Sequence, residues 1–219
     1  MQKEIKINRL PESWENKILP LMALNENITL GGSLALYILD IMEYNFEKRT
    51  PDLDFSLLKS FTQHEFETIV DFFSLEVTGK YIDYDPNNVV PTEDILKRDL
   101  IILDHPTEDQ KEYYKVDFFN KGYLTKHEYF ELDYFGTTIK ITHPSVIFSA
   151  KMKYATNNRV GKHRKHFEDI QKIDWPRYFE IVNQIQQVWD SVEGTFTLIK
   201  YTFKLKKHEP VEIGADLPF

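Results

Sequence analysis

Cysteine is absent from the 219-residue chain, which excludes disulfides, thiolate catalysis and cysteine-ligated zinc. That absence agrees with a reducing cytoplasm, the compartment expected for this protein. Long apolar runs are absent as well. The stretch from Met1 to Lys17 has no hydrophobic signal core, and the run from Leu30 to Met42 is too short to cross a bilayer and carries Asp40. No membrane span is expected. Internal repeats and low-complexity segments are missing, and so is any general excess of positive charge. A net charge of −8 argues against broad electrostatic binding to nucleic acid, which needs clustered Lys and Arg.

What is present is core material. An apolar fraction of 42% and an aromatic fraction of 14%, the latter built on 16 Phe and 12 Tyr, suit a globular chain rather than a disordered one. The length fits one sizeable domain, or a core domain with an appended helical bundle. Charge is unevenly spread. Between Lys151 and His166 stand Lys151, Lys153, Arg159, Lys162, Arg164 and Lys165 with no acidic residue, so a basic strip is expected on an acidic body.

Periodicity predicts the elements. A helix opens at Pro11-Glu12-Ser13 and runs to Leu24, interrupted or kinked at Pro20. A short strand follows at Ile28 to Leu30, then a glycine turn, then a buried helix from Ser33 to about Tyr44. Asp52 to Leu57 alternates as a strand with Leu53 and Phe55 facing the core. Thr62 caps a helix reaching about Ser74. Further strands are expected over Leu75 to Tyr84, Asp99 to Leu103, Tyr113 to Phe119 and Tyr129 to Ile141, with a turn near Phe135-Gly136. After His143-Pro144-Ser145 the pattern becomes helical, over Pro144 to Thr156, Lys162 to Ile173 and Pro176 to Val192, before a late strand from Thr195 to Lys206. The expected class is α/β in the α+β sense, a mixed β-sheet core over residues 1–143 and a C-terminal helical region with a late strand over 144–219.

Four places carry candidate chemistry. At Gly31-Gly32-Ser33, paired glycines allow positive φ and close approach of a ligand to bare backbone, and the helix beyond offers N–H groups to phosphate. The same residues also suit an ordinary strand-to-helix connection with a Ser cap. Asp52 and Asp54, two apart on a strand, point the same way and suit a divalent metal ion. A solvent-facing strand next to Pro51 is the plainer explanation. Asp117 lies in another strand-like run where an acid is out of place, with Asp99 and Asp133 competing as the third carboxylate. Lys151, Lys153, Arg159 and Lys162 could neutralise a triphosphate, and Lys151, on an otherwise apolar helix, is the strongest of them. His163 and His166 have a spacing compatible with metal on a helix but are read as solvated.

In this order, Gly31-Gly32-Ser33, Asp52-Leu53-Asp54 and Asp117 resemble the DNA polymerase beta-like nucleotidyltransferase superfamily. The resemblance covers about residues 28 to 170. His143-Pro144-Ser145, Lys151, Arg159 and the segment Lys165-His166-Phe167-Glu168-Asp169-Ile170 are similar to the abortive-infection (AbiEii-type) nucleotidyltransferase toxins, with His166 standing where that group has an Asp.

The resemblance implies a mixed-sheet nucleotidyltransferase core and two Mg2+ ions loaded with a bound NTP. Asp52, Asp54 and Asp117 would be the metal ligands and catalytic acids. Gly31, Gly32, Ser33, Lys151, Arg159 and Lys162 would bind the nucleotide, with Lys151 also stabilising charge on the leaving phosphates. It implies transfer of a nucleoside monophosphate to a hydroxyl on RNA (a tRNA end included), a protein or a small molecule, and a cognate antitoxin protein as partner. The alternative is a catalytically silent nucleotide-binding or protein-interaction module that keeps the fold.

Overall fold

A computed structural model describes residues 5–77, 90–105, 114–120, 122–156 and 163–193. The late strand expected over Thr195 to Lys206 and the tail beyond it lie outside the described residues, as does most of the strand expected over Leu75 to Tyr84.

Among the described residues, seven strands form one mixed sheet in the order β3-β4-β5-β2-β1-β7-β6. In chain order the strands are β1 (Ile28–Leu30), β2 (Leu53–Leu57), β3 (Glu76–Val77), β4 (Leu100–Asp104), β5 (Lys115–Phe119), β6 (Tyr129–Tyr134) and β7 (Thr137–Thr142). The helices are α1 (Glu12–Leu24), α2 (Gly32–Ile38), α3 (Gln63–Phe72), α4 (Thr92–Ile95), α5 (Pro144–Ala155), α6 (His163–Gln171) and α7 (Trp175–Glu193). The expected α+β class with a mixed sheet and later helices is what the chain adopts. Among the described residues no helix is long and apolar enough to cross a membrane.

Period-two alternation sets the sheet's two faces. On β2, Leu53, Phe55 and Leu57 are buried while Asp54 and Ser56 share the opposite side, with Asp52 immediately before the strand. β5 lies parallel to β2 and pairs Asp54 with Asp117 and Phe55 with Phe118. The two Phe rings stack with centroids 5.7 Å apart on the core side. Parallel neighbours in this register force the acids of both strands onto one face.

Two expectations need correction. The helix after the glycine turn ends at Ile38, not near Tyr44, because Asp40 adopts φ 58°. The Asp40 amide then donates to the Tyr37 carbonyl (3.0 Å) and the Ile41 amide to the Leu36 carbonyl (2.9 Å). That is a Schellman stop with Asp in the position usually taken by Gly, and apolar periodicity alone does not reveal it. Pro20 does not interrupt α1, which runs to Leu24 as expected. The short α4 was not expected.

Thr62 caps α3 as anticipated. Its hydroxyl accepts from the Glu65 amide (3.2 Å), and the Glu65 carboxylate accepts from the Thr62 amide (2.7 Å). Glu65 also accepts from the Asn27 side chain (2.8 Å), tying α3 to the start of β1. Thr62→Ala is expected to cost about 1 kcal/mol, read as a lower urea midpoint at unchanged slope. No change in midpoint would mean that the box adds nothing in this setting.

Candidate functional site

The acids on β2 and β5, the turn before α2 and the inner faces of α5 and α6 enclose one pocket. Its polar lining is Ser33, Asp52, Asp54, Asp117, Lys151, Lys165 and Asp169. Leu100, Phe119 and the stacked rings of Tyr154 and His166, 5.2 Å apart, complete it.

The glycine turn is fitted to Asp54. The Gly31 amide donates to the Asp54 carbonyl (2.7 Å), which locks the turn to β2. Gly32 has φ +60°, and a Cβ there would stand 2.0 Å from Asp54 Oδ2. Only glycine leaves room for that carboxylate while holding a left-handed backbone. Ser33 is the second residue of α2, and its hydroxyl sits between Lys151 and Asp169.

Lys151 is buried, unlike a lysine on a solvated strip. Its Nζ donates to Ser33 Oγ (3.0 Å) and to Asp169 Oδ2 (2.8 Å). Arg49 donates to the other Asp169 oxygen (3.2 Å). Burial alone would raise the Asp169 carboxyl, but Lys151 and Arg49 outweigh it and hold the group below the usual carboxylate range. The basic strip is therefore no single surface. Lys151 points inward, Lys165 donates to Asp52 Oδ2 (3.1 Å), and Arg164 pairs along its own helix with Glu168.

Asp117 is the acid brought beside Asp52 and Asp54. Asp99 and Asp133 are exposed and do not line the pocket. Asp133 instead accepts from the Gly136 amide in the β6–β7 turn. Lys115, two residues before Asp117 on the same face, donates to Asp117 Oδ2 (2.7 Å) and lies 3.9 Å from Asp52 Oδ2. Burial and the neighbouring charges of Asp117 and Asp52 push the Asp54 carboxyl up to about 7. Among the described residues, no ammonium or guanidinium forms an ion pair with Asp54, whereas Asp52 and Asp117 each have a lysine.

Arg159 and Lys162 lie outside the described residues. The residues that sequence reasoning left out of the site are Lys115, Lys165, Asp169 and Arg49. Three of them carried a signal, since Lys115 precedes Asp117 by one strand period and Lys165 and Asp169 are four apart on one helix face. Arg49, in the segment before β2, had none.

No protein-family model matches the chain, and no curated protein matches it. Among solved structures, a candidate nucleotidyltransferase from H. pylori is similar over 84% of this chain and 98% of that one, with 14% identity and a TM-score of 0.37. No family is assigned by these comparisons. A likeness so distant carries no functional weight, and function has to be read from the pocket itself.

Mg2+ can be tested against that pocket by its donor chemistry. Among the described residues, no three His, Asp or Glu side chains converge as a ready-made metal cage. Mg2+ in phosphate chemistry does not require one, because it takes one or two carboxylates and completes its shell with phosphate oxygens and water. Asp52 and Asp54 meet that requirement. Asp54, crowded by like charge and without a cationic partner among the described residues, is the carboxylate that a divalent ion would relieve most.

The Asp169 pair makes a direct prediction. Asp169→Ala leaves Lys151 buried without its carboxylate and is expected to destabilise the fold by about 3–5 kcal/mol, with Lys151→Met in the same chain restoring part of the loss. Chemical denaturation of the single and double variants measures this. A single variant within about 1 kcal/mol of the native protein would place the pair among weak surface bridges.

Proposed function

We propose that the chain is an Mg2+-dependent nucleotidyltransferase that moves a nucleoside monophosphate from an NTP to a hydroxyl acceptor. The observation that carries this is the in-register pairing of β2 with β5. It puts Asp52, Asp54 and Asp117 on one face beneath a glycine turn that only fits against Asp54.

Asp52 and Asp54 would hold Mg2+, which when bound shields the phosphate charge and lines up the α-phosphorus for attack. The chain's own residues supply the rest. Gly32 and Ser33 offer backbone N–H groups and a hydroxyl to the phosphates. Lys151, held by Asp169 beside Ser33, adds positive charge where the leaving phosphates collect it. Lys165, at the pocket rim on Asp52, adds more. The acceptor oxygen bonds to the α-phosphorus as the bond from that phosphorus to the β-phosphate bridge breaks. Pyrophosphate leaves, and the hydroxyl proton passes to a carboxylate of the pocket.

The placement of Lys151 on α5 and of Lys165 and Asp169 on α6 around one pocket supports the finer reading as an AbiEii-type toxin. The acceptor hydroxyl belongs to RNA such as a tRNA, a protein or a small molecule, with a cognate antitoxin as partner. Incubation with each α-labelled NTP and cell extract tests the activity. One or more NTPs should label an acceptor with the native chain and not with Asp54→Ala. Equal labelling by both proteins would overturn the proposal.

A further inference from the structure

The nucleotidyltransferase reading carries an expectation of two divalent cations at the carboxylates, yet the chain itself already provides one positive charge between two of them. Lys115 Nζ stands 2.7 Å from Asp117 Oδ2 and 3.9 Å from Asp52 Oδ2, beside the pocket that these two aspartates line. We infer that Lys115 takes the place of one of the two cations, so that this site loads a single divalent ion with its nucleoside triphosphate. The inference rests on the function proposed above and settles the metal count within it.

Position separates Lys115 from an ordinary surface lysine. β5 is an interior strand, antiparallel to β4 with Lys115 opposite Asp104, and parallel to β2 with Val116 opposite Leu53. The backbone is therefore fixed on both sides. Strand alternation points Lys115 and Asp117 to the same face. The Lys115 side chain is 10% exposed, against 36% for Lys165 at the rim. Lys165 can leave Asp52 for solvent or for a phosphate. Lys115 has no such exit, because withdrawing its ammonium from Asp117 would strand a buried charge.

The carboxylates divide accordingly. Asp117 is engaged by an ammonium at hydrogen-bond distance, and a divalent ion bound there would have to sit against that ammonium and share its counter-charge. Asp54 has no ion-pair partner among the described residues and lies against the glycine turn, and it lines the same pocket as Asp52. One ion fits at Asp52 and Asp54, and the second position is filled by Lys115. Asp117 then acts by holding that ammonium in place.

The test counts Mn2+ by the loss of its free electron-paramagnetic-resonance signal. The full chain is titrated with Mn2+ in the presence of the α,β-imido analogue of each ribonucleoside triphosphate. One ion per bound nucleotide is expected for the native chain and for Lys115→Arg, and two for Lys115→Met, in which the charge is removed. Two ions per nucleotide in the native chain would overturn the inference while leaving the nucleotidyltransferase reading intact. One ion in a folded Lys115→Met would overturn it as well. No Mn2+ and no nucleotide bound by the native chain would remove the underlying reading and the inference with it. Should Lys115→Met fail to fold, the native stoichiometry alone decides between one ion and two.

Discussion

Asp54→Asn is expected to abolish nucleotidyl transfer, by about a thousandfold or more, while making the protein harder to unfold at pH 8. The two effects share one cause. The native carboxyl, crowded by its surroundings, Asp117 and Asp52, ionises only near pH 7 instead of at its ordinary 3.8. A carboxyl raised in this way favours the folded state while protonated. Its ionisation begins to work against folding as pH rises above the unfolded value near 4, and the cost is complete above about 7. Asn removes the charge and keeps the shape. Because the native carboxyl still reaches the pocket and its solvent, the gain should be tempered, on the order of 2 kcal/mol or about 5 °C in melting temperature at pH 8. It should vanish near pH 4. Melting curves across that range check the stability half of the prediction, and labelled transfer checks the other. A variant that melts lower than the native chain at pH 8 would show that the Asp54 charge is better compensated than its neighbours suggest.

Gly32→Ala should be nearly as damaging to activity and, unlike Asp54→Asn, should weaken the fold. Its Cβ would meet Asp54 Oδ2 at 2.0 Å and Asp54 Cβ and Cγ at 2.7 Å, in a backbone at φ +60°. Relief requires moving either the turn or the strand that carries the acid. The left-handed conformation and the clash together are expected to cost about 3 kcal/mol. Gly31→Ala is the control. There φ is −120° and the nearest atom to a Cβ is the Asp54 carbonyl at 3.4 Å, so a cost below about 1 kcal/mol is expected. Urea unfolding of both variants distinguishes them, and equal losses would mean that the close approach of Gly32 to Asp54 is not what shapes the turn.

Much of this pocket could be read from one-dimensional pattern because strand geometry is simple. Alternation from Asp52 to Leu57 places two acids on one face, and the capping signal at Thr62-x-x-Glu65 marks the next helix. Pairing is a different matter. Nothing local in the sequence says that β5 lies beside β2, so Asp117 could not be separated from Asp99 and Asp133 until the register set it opposite Asp54. The partners of the lysines were hidden for a related reason. Lys151 stands out on its apolar helix, whereas Lys165 looks like a member of a solvated strip when counted along the chain. Their counter-charges, Asp169 and Asp52, become visible only when α5 and α6 fold over the sheet. The early end of α2 escaped notice because Asp40 takes a left-handed conformation that composition associates with Gly.

The central claim is that Asp52 and Asp54 hold a divalent ion on a triphosphate lying against the Gly32-Ser33 turn. A crystal structure of the full chain with Mn2+ and a non-hydrolysable NTP, with manganese located by anomalous scattering, tests it most directly. One anomalous peak coordinated by Asp52 and Asp54 is expected, with phosphate oxygens on the same ion and within reach of the Ser33 hydroxyl. A triphosphate bound in this pocket with no manganese on either aspartate, or manganese and nucleotide seated elsewhere on the molecule, would contradict it.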